Sequence, residues 1–148
     1  MPVESATARV EKIMNRTMIE RMVEVSDRVG FLFIATADRN GVPHMASARR
    51  AEQMAGDRIA VTEWFCPGTV ANLRENPRMS IVVWDSVSDT GYQLIGEAEK
   101  IEDVAMLDGF EAVRAETPPV PQIERRLIVR GREVYAFRQR PHSDTPVE

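Results

Sequence analysis

"FLFIATADRNGVPHMASARR", residues 31–50, decides how the rest of the chain is read. Phe31 to Ala37 is a continuous apolar run, which predicts a strand buried on both faces. Asp38-Arg39-Asn40-Gly41 follows, and Asn-Gly supplies the positive φ angles that a tight hairpin turn needs. Pro43 opens a second strand, whose middle, Met45-Ala46-Ser47-Ala48, is poor in the large β-branched residues that strands favour. Such small side chains let something approach the backbone closely, either a neighbouring helix or a flat ligand.

Outward from this hairpin the pattern stays legible. On the N-terminal side, Val10, Ile13, Met14, Met18, Met22 and Val25 recur at helical spacing opposite Glu11, Lys12, Arg16, Glu20 and Arg21; this predicts an amphipathic helix packed on the body of the domain. On the C-terminal side, Ala55-Gly56-Asp57 turns the chain into a third strand from Arg58 to Thr62. A short helix from Thr69 to Asn76 ends at Pro77, and "MSIVVWD" and "YQLIGEAEKI" are further strands. Asp103 is placed to cap a helix from Val104 to Glu116. "TPPVPQ" is a linker in which no helix continues, and "RRLIVRGREVYAF" is a last strand bent at Gly131. The polar tail after Arg140 is expected to fray. About six strands with short connections and Gly or Asn turns predict a small antiparallel barrel with flanking helices, mainly β with α. The whole chain, 1–148, is expected to be one domain: a helical segment over 1–28, the barrel with its helices over 29–138, and a tail over 139–148.

Composition narrows the function classes. The net charge of −4 gives no field that would draw the protein onto nucleic acid. Cys66 is the only cysteine, so no internal disulfide forms, and His44 and His142 are too few and too far apart for a zinc site. No metal is expected. "MPVESATARVEKIMNR" has no apolar stretch of the signal-peptide kind, and no apolar run approaches the ~20 residues of a membrane span. The expected location is the cytoplasm, without membrane association.

The chemistry concentrates in "TEWFCPGTVANLRENPR", residues 62–78. A strand delivers Thr62, Glu63 and Trp64; Pro67-Gly68 turns the chain; and a helix begins at Thr69. The first N–H groups of a helix are unpaired and carry a partial positive charge, which suits an anion. The small-residue strand ends in Arg49 and Arg50, and alternation turns one of them toward a groove and the other to solvent. Thr69, the helix start and one arginine together suit a phosphate ester. A groove lined by Ala46, Ser47 and the Thr62–Trp64 backbone would take a planar ring. Each feature also has a plain structural use: Thr69 as a helix cap, Trp64 as a core or interface ring, Glu63 as a solvated strand-end charge, Cys66 as a packing residue and His44 as an exposed or interface side chain.

Four segments in register, "FLFIATADRNGVPHMA", "DRIAVTEW", "GTVANLRENPRMSIVV" and "GYQLIGEAEKI", resemble the FMN-binding split-barrel family that includes the pyridoxamine 5′-phosphate oxidases. The resemblance covers Val29 to about Val104. It implies a six-stranded antiparallel split β-barrel and a homodimer with FMN at the subunit interface. It places the FMN phosphate near Gly68 and Thr69, with Asn72 one turn later. It sets Ser47, Ala48 and Arg49 along the flavin ring on the second strand, and Thr62, Glu63 and Trp64 along it on the third. Family members often carry Lys or Arg immediately before the threonine, where this chain has Gly68; the phosphate charge then falls to Arg49, Arg50 or the other subunit. The C-terminal segment that serves pyridoxamine phosphate in the oxidases has no counterpart here, so that substrate is not expected. The resemblance implies an FMN-dependent oxidoreductase taking electrons from a donor such as NADH or NADPH, its substrate open. A non-catalytic electron-transfer module, a deazaflavin-dependent reductase and a cofactor-free barrel are the alternatives.

Overall fold

The structure is a computed structural model and describes residues 6–107 and 122–147, with side chains from 16 to 105 and from 123 to 147. The element order is α1 (Ala6–Val29), β1 (Leu32–Ala37), β2 (Pro43–Ala48), β3 (Arg50–Gln53), β4 (Arg58–Trp64), α2 (Pro67–Glu75), β5 (Arg78–Asp85), β6 (Thr90–Leu107) and β7 (Gln122–Ala136). The strands form one antiparallel sheet in the order β2-β1-β5-β6-β7-β4-β3. Strands β2 and β3 are its opposite edges, yet Arg49 alone separates them in the chain. Consecutive Cα atoms are only ~3.8 Å apart, so the sheet has to curl until its edges meet. The Arg49 N–H donates to the Glu63 carbonyl at 3.3 Å across that seam. The result is a split β-barrel.

The barrel interior and the inner face of α1 make one core. Met18, Ile19, Met22 and Val25 of α1 are buried with Leu32, Ile34, Ile59, Val61, Trp64, Ile81, Val83, Leu94, Leu127 and Val129 from the strands. At ~1.5–3 kcal/mol for each fully buried large apolar side chain, this set is the main reason for the closed sheet. The glycine pair Gly96 and Gly131 faces across β6 and β7 beside a register shift. A Cβ at Gly96 would run into the Arg130 carbonyl oxygen, so only glycine lets the two strands coil this closely.

Several expectations are corrected. There are seven strands rather than six; the extra one, β3, buries only Ala51 and is otherwise exposed and polar, so it carries no apolar alternation. Strand β1 is buried on one face only: Leu32, Ile34 and Thr36 point inward while Phe33 is 36% exposed. In the β1–β2 turn Gly41 has φ 80 while Asn40 is not among the positive-φ residues, so the turn is not a two-residue Asn-Gly turn. It is held instead by the Asp38 carboxylate, which accepts from the N–H groups of Asn40 and Val42 at 2.8 and 2.9 Å. Residues 104–107 end β6 instead of starting a helix, because pairing with β7 continues to Leu107; the rest of that expected helix, and the linker up to 121, lie outside the described residues. Nor does the tail fray throughout: the Val147 N–H donates to the Val134 carbonyl at 2.6 Å, and Pro146 bridges to Tyr135.

Candidate functional site

Strand alternation sorts the β2 residues. Ala46 and Ala48 are buried, with Ala48 in the core, whereas Ser47 and Arg49 are exposed. Of the two arginines, Arg49 borders an open groove of about 290 Å³, together with Ser47, Ala48, Glu63, Gly30 and Phe31. Arg50 belongs to β3 and pairs in register with Thr62. Glu63 sits where the β4–β7 register shifts and has φ 58, a left-handed conformation rare for a residue with a side chain. That backbone twist turns the exposed Glu63 outward while Trp64, one residue on, is fully buried in the core. The Trp64 ring therefore packs inside the barrel and does not line the groove. Ala46 likewise points inward and is absent from the groove wall.

The second cluster forms where α2 meets β1 and β2. The helix begins at Pro67, two residues before the expected Thr69, with Cys66 as its N-cap residue and no side-chain cap bond. Pro67 suits this place because the first helical N–H has no partner in any case. Thr69 is thus in the first turn and does not cap the helix. It is fully buried, and its Oγ1 has no hydrogen-bond partner. Asn72, one turn on, donates from Nδ2 to Thr36 Oγ1 at 3.1 Å and so ties α2 to β1.

His44 is the residue that the sequence reading undervalued. It lies on the inward face of β2 with Ala46 and Ala48 and is half-buried. Its Nε2 is 3.8 Å from Cys66 Sγ, and its ring lies over Gly68. Its Nδ1 is buried without a partner. The alternation that turns Met45 and Ser47 outward was the available signal. Two buried polar atoms without partners, on Thr69 and His44, flank one glycine at a helix start. Buried polar groups are nearly always satisfied, so these two atoms stand out as polar groups still able to take a hydrogen-bonding partner.

A wider groove of about 380 Å³ lies beside α2, bordered by Arg74, Lys100 and Arg125 among others; none of the candidate cofactor-binding residues named from the sequence lines it. Among the described residues no cluster of three or more His, Cys, Asp or Glu could hold a metal, and no helix is long and apolar enough to cross a membrane.

The Pyridoxamine 5′-phosphate oxidase family model matches residues 18–136. An uncharacterized protein of Methanocaldococcus jannaschii is 26% identical over 112 residues, which cover 74% of each chain. Among solved structures, an FMN-binding protein from Syntrophomonas wolfei has a TM-score of 0.57 at 19% identity, covering 90% of this chain and 95% of that one. HupZ from Group A Streptococcus has a TM-score of 0.58 at 17% identity, covering 81% and 94%. An F420 reductase has a TM-score of 0.53 at 16% identity, covering 78% and 94%. These structural likenesses show the fold, and the family model runs from within α1 to the end of β7: the chain belongs to the pyridoxamine 5′-phosphate oxidase family.

Proposed function

We propose that this protein is an FMN-binding oxidoreductase that works as a homodimer, with the flavin held between subunits. The observation that carries the reading is the unpartnered, fully buried hydroxyl of Thr69 in the first turn of α2. A phosphate ester would accept from that hydroxyl and from the free N–H groups of the helix start, where the helix dipole favours negative charge. The groove bordered by Ser47, Arg49 and Glu63 suits the ring. Arg49 is exposed there and can donate to ring oxygens; Glu63 can accept from a ring N–H. Bound flavin would supply the electron chemistry, and the chain would orient it and tune it through these hydrogen bonds.

The dimer is supported by the outer surface of the β1–β2 hairpin. Phe31, Phe33, Val42 and Met45 are 41%, 36%, 59% and 62% exposed. An apolar patch of this kind on a sheet face marks an interaction surface. A second copy of the chain covering it would also close the groove, since Phe31 belongs to both.

The test is direct. Purified protein is denatured and the released cofactor identified by its mass, and the native protein is assayed for oxidation of NADH and NADPH. FMN release together with turnover is the expected result. FMN without turnover would make the protein an electron-transfer module; a deazaflavin mass would assign the F420 reading; a colourless protein that takes up neither would remove the flavoprotein reading.

A further inference from the structure

We infer that His44, reaching across from β2, donates from Nδ1 to the cofactor phosphate at the start of α2, where Gly68 offers no side chain. The inference rests on the flavin reading above and adds to it a residue that meets the phosphate. Family members often place Lys or Arg before the threonine, and this chain has Gly68. The structure gives a steric reason for glycine there. A Cβ at position 68 would lie 3.3 Å from His44 Nε2, 3.6 Å from Cε1 and 3.8 Å from Cδ2. The ring thus covers position 68 broadside, in the space where a longer side chain would begin. Glycine at 68 and histidine at 44 are sterically matched, because the ring occupies the space that a side chain at 68 would enter.

The polar atoms agree with this. His44 Nδ1 is buried without a partner, and so is Oγ1 of the fully buried Thr69. Nε2 is in contact with Cys66 Sγ at 3.8 Å, which leaves Nδ1 as the ring atom in need of a partner. If Nε2 accepts from the Cys66 thiol, the ring proton sits on Nδ1, where it can meet a phosphate oxygen. A phosphate brings several acceptor oxygens and would satisfy both the ring and the Thr69 hydroxyl. Arg49 borders the groove assigned to the ring, and Arg50 stands opposite Thr62.

The experiment compares FMN with riboflavin, which has the same ring and no phosphate. Affinities are measured by fluorescence titration for the wild type, His44→Ala, His44→Phe, Gly68→Lys and the double variant His44→Ala/Gly68→Lys. His44→Ala is expected to lose ~10–100-fold in FMN affinity with riboflavin affinity unchanged. The double variant, with room for the lysine, is expected to recover most of the loss. His44→Phe keeps a ring over Gly68 and removes both nitrogens, so it should behave like His44→Ala and serves if the alanine variant does not fold. Unchanged FMN affinity, or equal losses for FMN and riboflavin, would overturn the role of His44 while leaving the flavoprotein reading in place. A wild type that binds neither flavin overturns that reading instead, and His44 is then judged with inorganic phosphate. The chain has two histidines, so the ring signals of His44 are assigned by NMR against a His142→Gln variant. Signals that shift on phosphate addition support the anion contact, and signals that do not move overturn it.

Discussion

At the scale of single residues, Thr69 separates binding from folding. Its hydroxyl is buried and unpartnered in the free chain, so it contributes desolvation cost without a compensating bond. Thr69→Val swaps the hydroxyl for a methyl of similar size. The expected outcome is a Tm equal to or above that of the wild type without cofactor, and FMN binding weakened ~10–100-fold, the worth of a hydrogen bond to a charged group. Melting curves with and without FMN check both halves: the FMN-dependent rise in Tm shrinks. A variant that loses Tm while binding FMN normally would mean that Thr69 serves only the fold. Glu63 makes a second case. Its φ of 58 carries a penalty of ~1–2 kcal/mol for a residue with a side chain. Glu63→Gly should therefore leave stability unchanged or raise it, whereas Glu63→Val, β-branched and poorly suited to this region, should lower it by ~1–2 kcal/mol. Urea denaturation of the two variants tests this. Neither the strain nor the orphaned hydroxyl was legible in the sequence, because both depend on what the neighbouring strands leave unpaired.

At the scale of elements, one carboxylate anchors the tail. Asp89 Oδ1 accepts from Trp84 Nε1 at 3.1 Å and from the Gln139 N–H at 2.8 Å; Oδ2 accepts from the Arg140 N–H at 3.0 Å. The two backbone donors, then the Trp84 indole and the Arg140 charge, pull its pKa down to about 2. A carboxyl held below its unfolded value contributes stability that is complete above the ordinary aspartate pKa of ~3.9. That contribution is lost as pH falls toward about 2. Protection of the Gln139 and Arg140 amides, taken relative to intrinsic exchange at each pH, should accordingly fall between about pH 4 and 2. Asp89→Ala should show the lower protection already at neutral pH, and unchanged protection there would remove Asp89 as the anchor. The segment beyond Arg140 was expected to fray because the contacts that return it to β7, from Val147 to Val134 and from Pro146 to Tyr135, exist only once that strand is in place. The Val104–Leu107 stretch failed for a related reason. Its local capping signal at Asp103 is overridden by β7, where Arg125 pairs with Asp103 at 3.4 Å. By contrast, α1, β5 and the body of β7 were legible because their apolar pattern is strong and their burial follows it.

At the scale of the whole molecule, the apolar run that opens β1 was read as buried on both faces, and within one chain it is not: Phe31 and Phe33 pack edge to face with ring centroids 5.4 Å apart and stay partly exposed. A second copy of the chain would reconcile the sequence with the structure, because it would bury the outer face that a single barrel leaves open. Removing that face should then have two linked effects. Phe33→Glu and Met45→Glu both put a charge on it without touching the core, since neither side chain contributes to the buried cluster. A charge buried without a partner at an interface costs several kcal/mol, enough to split a dimer at micromolar concentration. Each variant is expected to sediment as a monomer, to keep the far-UV circular dichroism of the wild type, and to lose bound flavin along with its partner, because Phe31 borders the groove as well as the patch. Analytical ultracentrifugation with simultaneous detection at the flavin wavelength reads both effects in one run. A monomer that still carries flavin would place the whole cofactor site within one subunit, and a variant that stays dimeric would move the interface to another face of the barrel.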